Sequence, residues 1–139
     1  MDGAATSTGA TGPTGPNPSA ITAYIDGGGA EITTGMKGYL EVPFACTLTQ
    51  ADLIADRTGD IVVNVWKCTY AQFDAGSTHP VVGDKITSST PPTIAGASKS
   101  TDATLTSWNK TIAAGDILAF NVDSVATIKR VHLVLKYAR

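Results

Sequence analysis

The sequence predicts an all-β protein: an antiparallel β-sandwich or jelly roll preceded by an extended N-terminal arm. Three observations lead there. Apolar residues alternate with period two in several short runs, as in half-buried strands, and no apolar 3,4 spacing lasts three turns, so no long helix is expected. Gly, Pro and Asp clusters punctuate those runs as turns would. Residues 1–19, by contrast, hold one charge, three prolines and no large apolar side chain besides Met1, so they cannot give a face to a core. The chain therefore divides into an arm, 1–19, and one β-domain, 20–139, of ordinary domain size.

Within the arm, glycine falls on every third residue in Gly9-Ala10-Thr11-Gly12-Pro13-Thr14-Gly15-Pro16-Asn17. Three polyproline-type chains wound together place every third residue at a crowded axis where only glycine fits, so this period points to a homotrimer. So few triplets cannot hold a triple helix alone, and the folded domain has to bring the chains together. A flexible Gly/Pro/Thr leader with an accidental period is the alternative.

The first strand of the domain is Ile21-Thr22-Ala23-Tyr24-Ile25, closed by a turn at Asp26-Gly27-Gly28-Gly29. Next, Leu40, Val42, Phe44, Cys46 and Leu48 alternate with Glu41, Pro43, Ala45 and Thr47, a strand in which Pro43 marks an edge or a bulge. Asp60 to Cys68 is apolar on both faces, as suits the middle of a packed structure or a subunit interface. From Thr69 to Thr101 glycines and prolines are too closely spaced for a long element, and loops with one helical turn at Tyr70-Ala71-Gln72-Phe73 are expected. Strand character resumes at Ala103 to Ile112. A turn at Ala114-Gly115-Asp116 leads into Ile117 to Val122, and a final strand sets Val131, Leu133, Leu135 and Tyr137 on its inner face.

Charged residues make up 16% of the chain against roughly 25% in an average soluble protein, and the formal net charge is −2. Such a hydroxyl-rich surface lacks the clustered Lys and Arg that nucleic acid or an anionic membrane demands, so neither is expected as a partner. No run approaches the roughly 18 apolar residues of a membrane span, and Met1-Asp2-Gly3-Ala4 does not open a signal peptide, so synthesis in the cytosol is expected. Cys46 and Cys68 have no metal-ligand spacing and read as buried thiols, with a bridge as the alternative.

No enzymatic chemistry is expected. His79 and His132 lie far apart, and nothing resembles a nucleophile elbow or a cysteine-protease signature. Ten of the twelve acids are Asp, mostly beside Gly or Thr in turns, which explains them without a glycosidase carboxylate pair. Asp26, Asp56, Asp60 and Asp116 form no ordered calcium-loop series, and Gly27-Gly28-Gly29 lacks the spacing of a phosphate loop, so no metal or cofactor is expected. Among the aromatics that could form a sugar platform, Trp66, Trp108, Tyr39, Tyr24 and Tyr70, the two singled out for surface recognition are Tyr39, after Lys37-Gly38, and Trp108, after Thr106-Ser107, with packing or a subunit interface as their plainer roles.

Three stretches resemble a module of tailed-bacteriophage structural proteins: Tyr24 to Phe44, with its Gly27-Gly28-Gly29 and Gly38-Tyr39-Leu40-Glu41-Val42-Pro43; Gly59 to Lys67; and Ala114 to Asp123. That module is often preceded by Gly-Pro-Thr-Gly-Pro repeats and carries no catalytic motif. The resemblance covers most of the chain from Ile21 onward and implies a virion structural protein. Fibre proteins carry the module after a long shaft, whereas here a short arm precedes it. The expectation is thus a capsid decoration, or cement, protein that stabilises the head. Gly9, Gly12, Pro13, Gly15 and Pro16 would belong to the anchoring arm, and the partners would be the major capsid protein or other virion proteins. The alternative is a tail-fibre or spike tip that binds a host-surface glycan.

Overall fold

The computed structural model describes residues 19–74 and 79–139. The glycine triplets, with Gly9, Gly12, Pro13, Gly15 and Pro16, lie outside the described residues. Seven strands form one antiparallel sheet that curls on itself: β1 (Ser19–Asp26), β2 (Gly35–Val42), β3 (Cys46–Cys68), β4 (Thr93–Asp102), β5 (Thr111–Ile112), β6 (Asp116–Ala126) and β7 (Arg130–Ala138). The path runs β1-β7-β3-β6-β2, with β4 and β5 also on β3. Among the described residues the only helical element in that order is a 3-10 turn, Val82–Asp84.

The curl originates in β3, a strand of 23 residues that serves two partners in turn. Its first half pairs with β7 as far as Ala55↔Val131, and its second half pairs with β6 from Asp60↔Ala126 onward. Between them the strand turns a corner, and its ladder to β4 shifts register on both sides of Gly59. Gly59 is obligatory there. A Cβ at that position would stand 2.5 Å from the carbonyl oxygen of Ala126 and 2.9 Å from Ile128 Cγ1. Asp56 ties the corner to the β6–β7 connection by accepting the N–H groups of Lys129 (3.0 Å) and Arg130 (3.1 Å). The Glu31 carboxylate accepts the N–H of Thr127 from the other side.

One core lies inside the curl, drawing Leu53, Leu133 and Leu135 from the first half and Val63, Leu118 and Phe120 from the second. The period-two pattern accounts for it: the inner residues of β7, Val131, Leu133, Leu135 and Tyr137, are all buried, as the sequence requires. The two ends of the sheet path approach each other across a groove. Ala20 to Thr22 of β1 lie near Leu40 to Phe44, and Thr22 to Ile25 near Lys37 to Leu40, so the strands run in opposite directions there.

Two sequence expectations need correction. The alternating run Leu40 to Leu48 is not one strand: β2 stops at Val42, and β3 starts at Cys46 after Pro43, which has no N–H for a ladder. Burial nevertheless keeps its alternation, with Val42, Cys46 and Leu48 all inside. The strand expected at Ala103 to Ile112 lies earlier, at Thr93 to Asp102. Residues 103–110 instead form a turn, in which Leu105 and Ser107 take positive φ and the Asp102 carboxylate accepts the N–H groups of Thr104 and Leu105. Only Ile94 of β4 is buried, so no alternation announces it.

Candidate functional site

The second half of β3, with β6 and β2, offers an outer face on which register sets Trp66 beside Ala119 and Ala119 beside Tyr39. The next row is Cys68, Ile117 and Glu41. Cys68, Ile117 and Ala119 are buried although they point away from the core. The chain after Cys68 covers them, which supplies an intrachain reason for the two-sided apolar character of Asp60 to Cys68.

Two described stretches of this covering chain, Thr69–Phe73 and Ile86–Thr87, are pinned by hydrogen bonds. At Tyr70 to Phe73 it makes the expected helical turn: Gln72 and Phe73 donate N–H to the Thr69 carbonyl, and Gln72 Oε1 accepts the Thr69 N–H at 2.9 Å. Farther on, Ile86 donates its N–H to Val65 O, and Thr87 Oγ1 donates to the buried Asn64 Oδ1 at 2.6 Å. Asn64 Nδ2 in turn donates to Asp123 at 2.9 Å. Phe73 and His79 both lie against Tyr39. The Phe73 ring lies 5.1 Å from Tyr39 at 82°, edge to face, and His79 lies 4.3 Å from Phe73 and 5.6 Å from Tyr39. Tyr39 is 47% exposed and Tyr70 66%. Together with Glu41, Asp74 and Ile117 they line an open hollow of about 490 Å³. Among the described residues, the Glu41 carboxylate accepts no hydrogen bond; the ion pairs formed there involve Asp26, Asp52, Asp56 and Asp116.

Trp108 leaves the list of surface candidates. It is 6% exposed, and its indole N–H donates to Thr90 O at 2.9 Å, because the turn through Leu105 and Ser107 folds it inward. The loop aspartates accept backbone N–H groups: Asp26 from Gly28, Asp116 from Ala113, and Asp60 across the sheet from Gly96. No group of three or more His, Cys, Asp or Glu among the described residues could hold a metal ion. His132 packs on a different ring from His79, meeting Tyr24 at 6.1 Å. Both cysteines are free and buried. Burial pushes their thiols above the ordinary value; Arg139 partly offsets this at Cys46, while Asp84 and Asp116 reinforce it at Cys68.

Sequence reasoning singled out Tyr39 and named Tyr70 among the aromatics, but missed Phe73 and His79. The available signal was Tyr70, Phe73 and His79 falling within ten residues of a chain that is 6% aromatic. Comparison with family models, curated proteins and solved structures finds nothing that matches this chain.

Proposed function

We propose that this is a bacteriophage virion structural protein, a homotrimeric capsid decoration protein whose arm attaches to the head and whose β-domain faces outward. The glycine triplets directly ahead of β1 carry the reading, together with the resemblance of Tyr24 to Phe44, Gly59 to Lys67 and Ala114 to Asp123 to phage structural modules. On this reading the curled sheet is a jelly-roll-type sandwich, its β1–β7 half facing its β2–β6 half. The trimer rests on the triplets alone, since the apolar outer face of β3 has a cover within its own chain. A decoration protein works by summing weak anchors, and threefold symmetry multiplies the hold of each arm.

A second reading, a tail-fibre or spike tip that recognises a glycan, is favoured by one observation: Tyr39 and Tyr70 stand exposed on a single hollow. Band quantification on purified particles separates the two. A ratio to the major capsid protein near that of a lattice position supports decoration, and a few copies per particle replaces it with the tip.

A further inference from the structure

We propose that the hollow between β2 and the Thr69–Asp74 turn binds a neutral pyranose of a glycan, stacked on Tyr39 with its hydroxyls donated to Glu41 and Asp74. This deepens the surface-recognition reading and rests on it for its setting, while the site itself stands on its own geometry.

Scattered exposed aromatics are ordinary, but two tyrosines and part of Phe73 converging on one hollow are a patch, and burial would have been favourable for each. At about 490 Å³ the hollow falls within the roughly 300–1,000 Å³ of small-molecule sites. Its walls differ in kind. Tyr39 and Tyr70 offer apolar, electron-rich ring surface, while Glu41 and Asp74 are exposed acceptors at the rim. Carboxylates accept and cannot donate, so the occupant must bring donors beside an apolar face. A pyranose has both, a sheet of weakly positive C–H groups and a rim of hydroxyls.

A cation would also satisfy the carboxylates, but ring geometry argues against a cage. Cages need ring faces turned toward one another around the charge. Here Tyr39 and Phe73 touch edge to face at 82°, and His79 packs on Phe73, so the rings occupy each other and leave an open platform. That platform is held before any ligand arrives: Tyr39 by its register with Ala119, and the Tyr70–Phe73 turn by its hydrogen bonds to Thr69. Preorganisation of this kind reduces the ordering cost of binding. A single sugar ring on an open surface should bind at about millimolar Kd.

The test uses the full chain and saturation-transfer NMR with the methyl α- and β-pyranosides of glucose, galactose, mannose and N-acetylglucosamine. Transfer to the ring C–H protons of at least one glycoside is expected. Tyr39→Ala should weaken that binding at least tenfold, Tyr39→Phe should retain it, and Glu41→Gln should weaken it severalfold. Ile54→Ala, an exposed apolar side chain that lines neither this hollow nor the β1–β2 groove, should leave it unchanged. If Tyr39→Ala fails to fold, Tyr70→Ala carries the same expectation from a more exposed ring. The proposal is overturned by no transfer from any glycoside, by transfer indifferent to Tyr39→Ala and Tyr70→Ala, or by tetramethylammonium displacing the sugar from the same residues. Sugar binding by a protein present at capsid stoichiometry would keep the site and remove only the tail-tip setting. Absence of binding by a protein found at the tail would remove the site and keep the setting.

Discussion

Cys46 and Cys68 show how a single side chain is constrained by what surrounds it. Both thiols are buried and unbridged, and burial holds them in the neutral form. Iodoacetamide should therefore label neither at neutral pH unless denaturant is present. Cys46→Ala should cost roughly 1 to 3 kcal/mol by leaving a cavity beside Val42 and Leu48, read by chemical denaturation. The pH dependence has a definite sign. Folded thiols keep their protons above the ordinary value of 9.0 while unfolded ones lose them, so the thiol contribution is full below that pH and lost as pH rises beyond it. The Cys46→Ala, Cys68→Ala double variant should show a shallower alkaline decline in stability than the parent. Gly59 is constrained by space alone. Gly59→Ala sets a methyl against the Ala126 carbonyl and should cost about 3 kcal/mol, with the loss visible as a lower melting temperature.

At the scale of elements, the decisive feature is the corner of β3. Without it, β6 and β7 could not both pair with one strand, and the sheet would not curl. Asp56 is the polar lock on that corner. Burial opposes its ionisation, but the N–H groups of Arg130 and Lys129 and the neighbouring Arg57 outweigh that and hold its carboxyl down to about 2. Its contribution is present above the ordinary carboxylate value of 3.8 and is lost as pH falls through about 2. Asp56→Asn should thus flatten the acid limb of a stability–pH curve between those values while changing the neutral-pH melting temperature less than Gly59→Ala does. An unaltered acid limb would show that other carboxylates dominate. The covering segment after Cys68 is the second decisive element, because it turns a sheet face that would otherwise be sticky into a support for Tyr39.

For the whole molecule, every member of the described core lies between Ile21 and Tyr137. A chain lacking residues 1–18 should therefore fold cooperatively, with a melting temperature close to that of the full chain. Sedimentation equilibrium of the full chain should give a trimer at micromolar concentration. A stable monomer there would remove the collagen-like reading of the triplets. Loss of cooperative melting on truncation would instead place the arm within the folding unit. Truncated protein should also fail to enter particles under the decoration reading, whereas normal incorporation would assign attachment to the β-domain.

The sequence by itself determined the strands whose signal is local. Asp60 to Cys68, Ile117 to Val122 and Val131 to Tyr137 alternate or run apolar strongly enough that neighbouring positions alone specify them, and the turn at Tyr70 to Phe73 was legible too. The candidate site was legible only at Tyr39 and Tyr70. Only tertiary structure decided that Thr93 to Asp102 is a strand, because its Ala, Gly, Ser and Lys residues bury little beyond Ile94 and the element exists through its pairing with β3. Tertiary structure also broke the alternating run at Pro43, buried Trp108 under Thr90, and brought Phe73 and His79 to Tyr39. The physical reason is common to all of these. Periodicity is written between adjacent residues, whereas what covers a face, and which distant side chain meets it, depends on where β3 turns its corner and how the chain beyond Cys68 returns over the sheet.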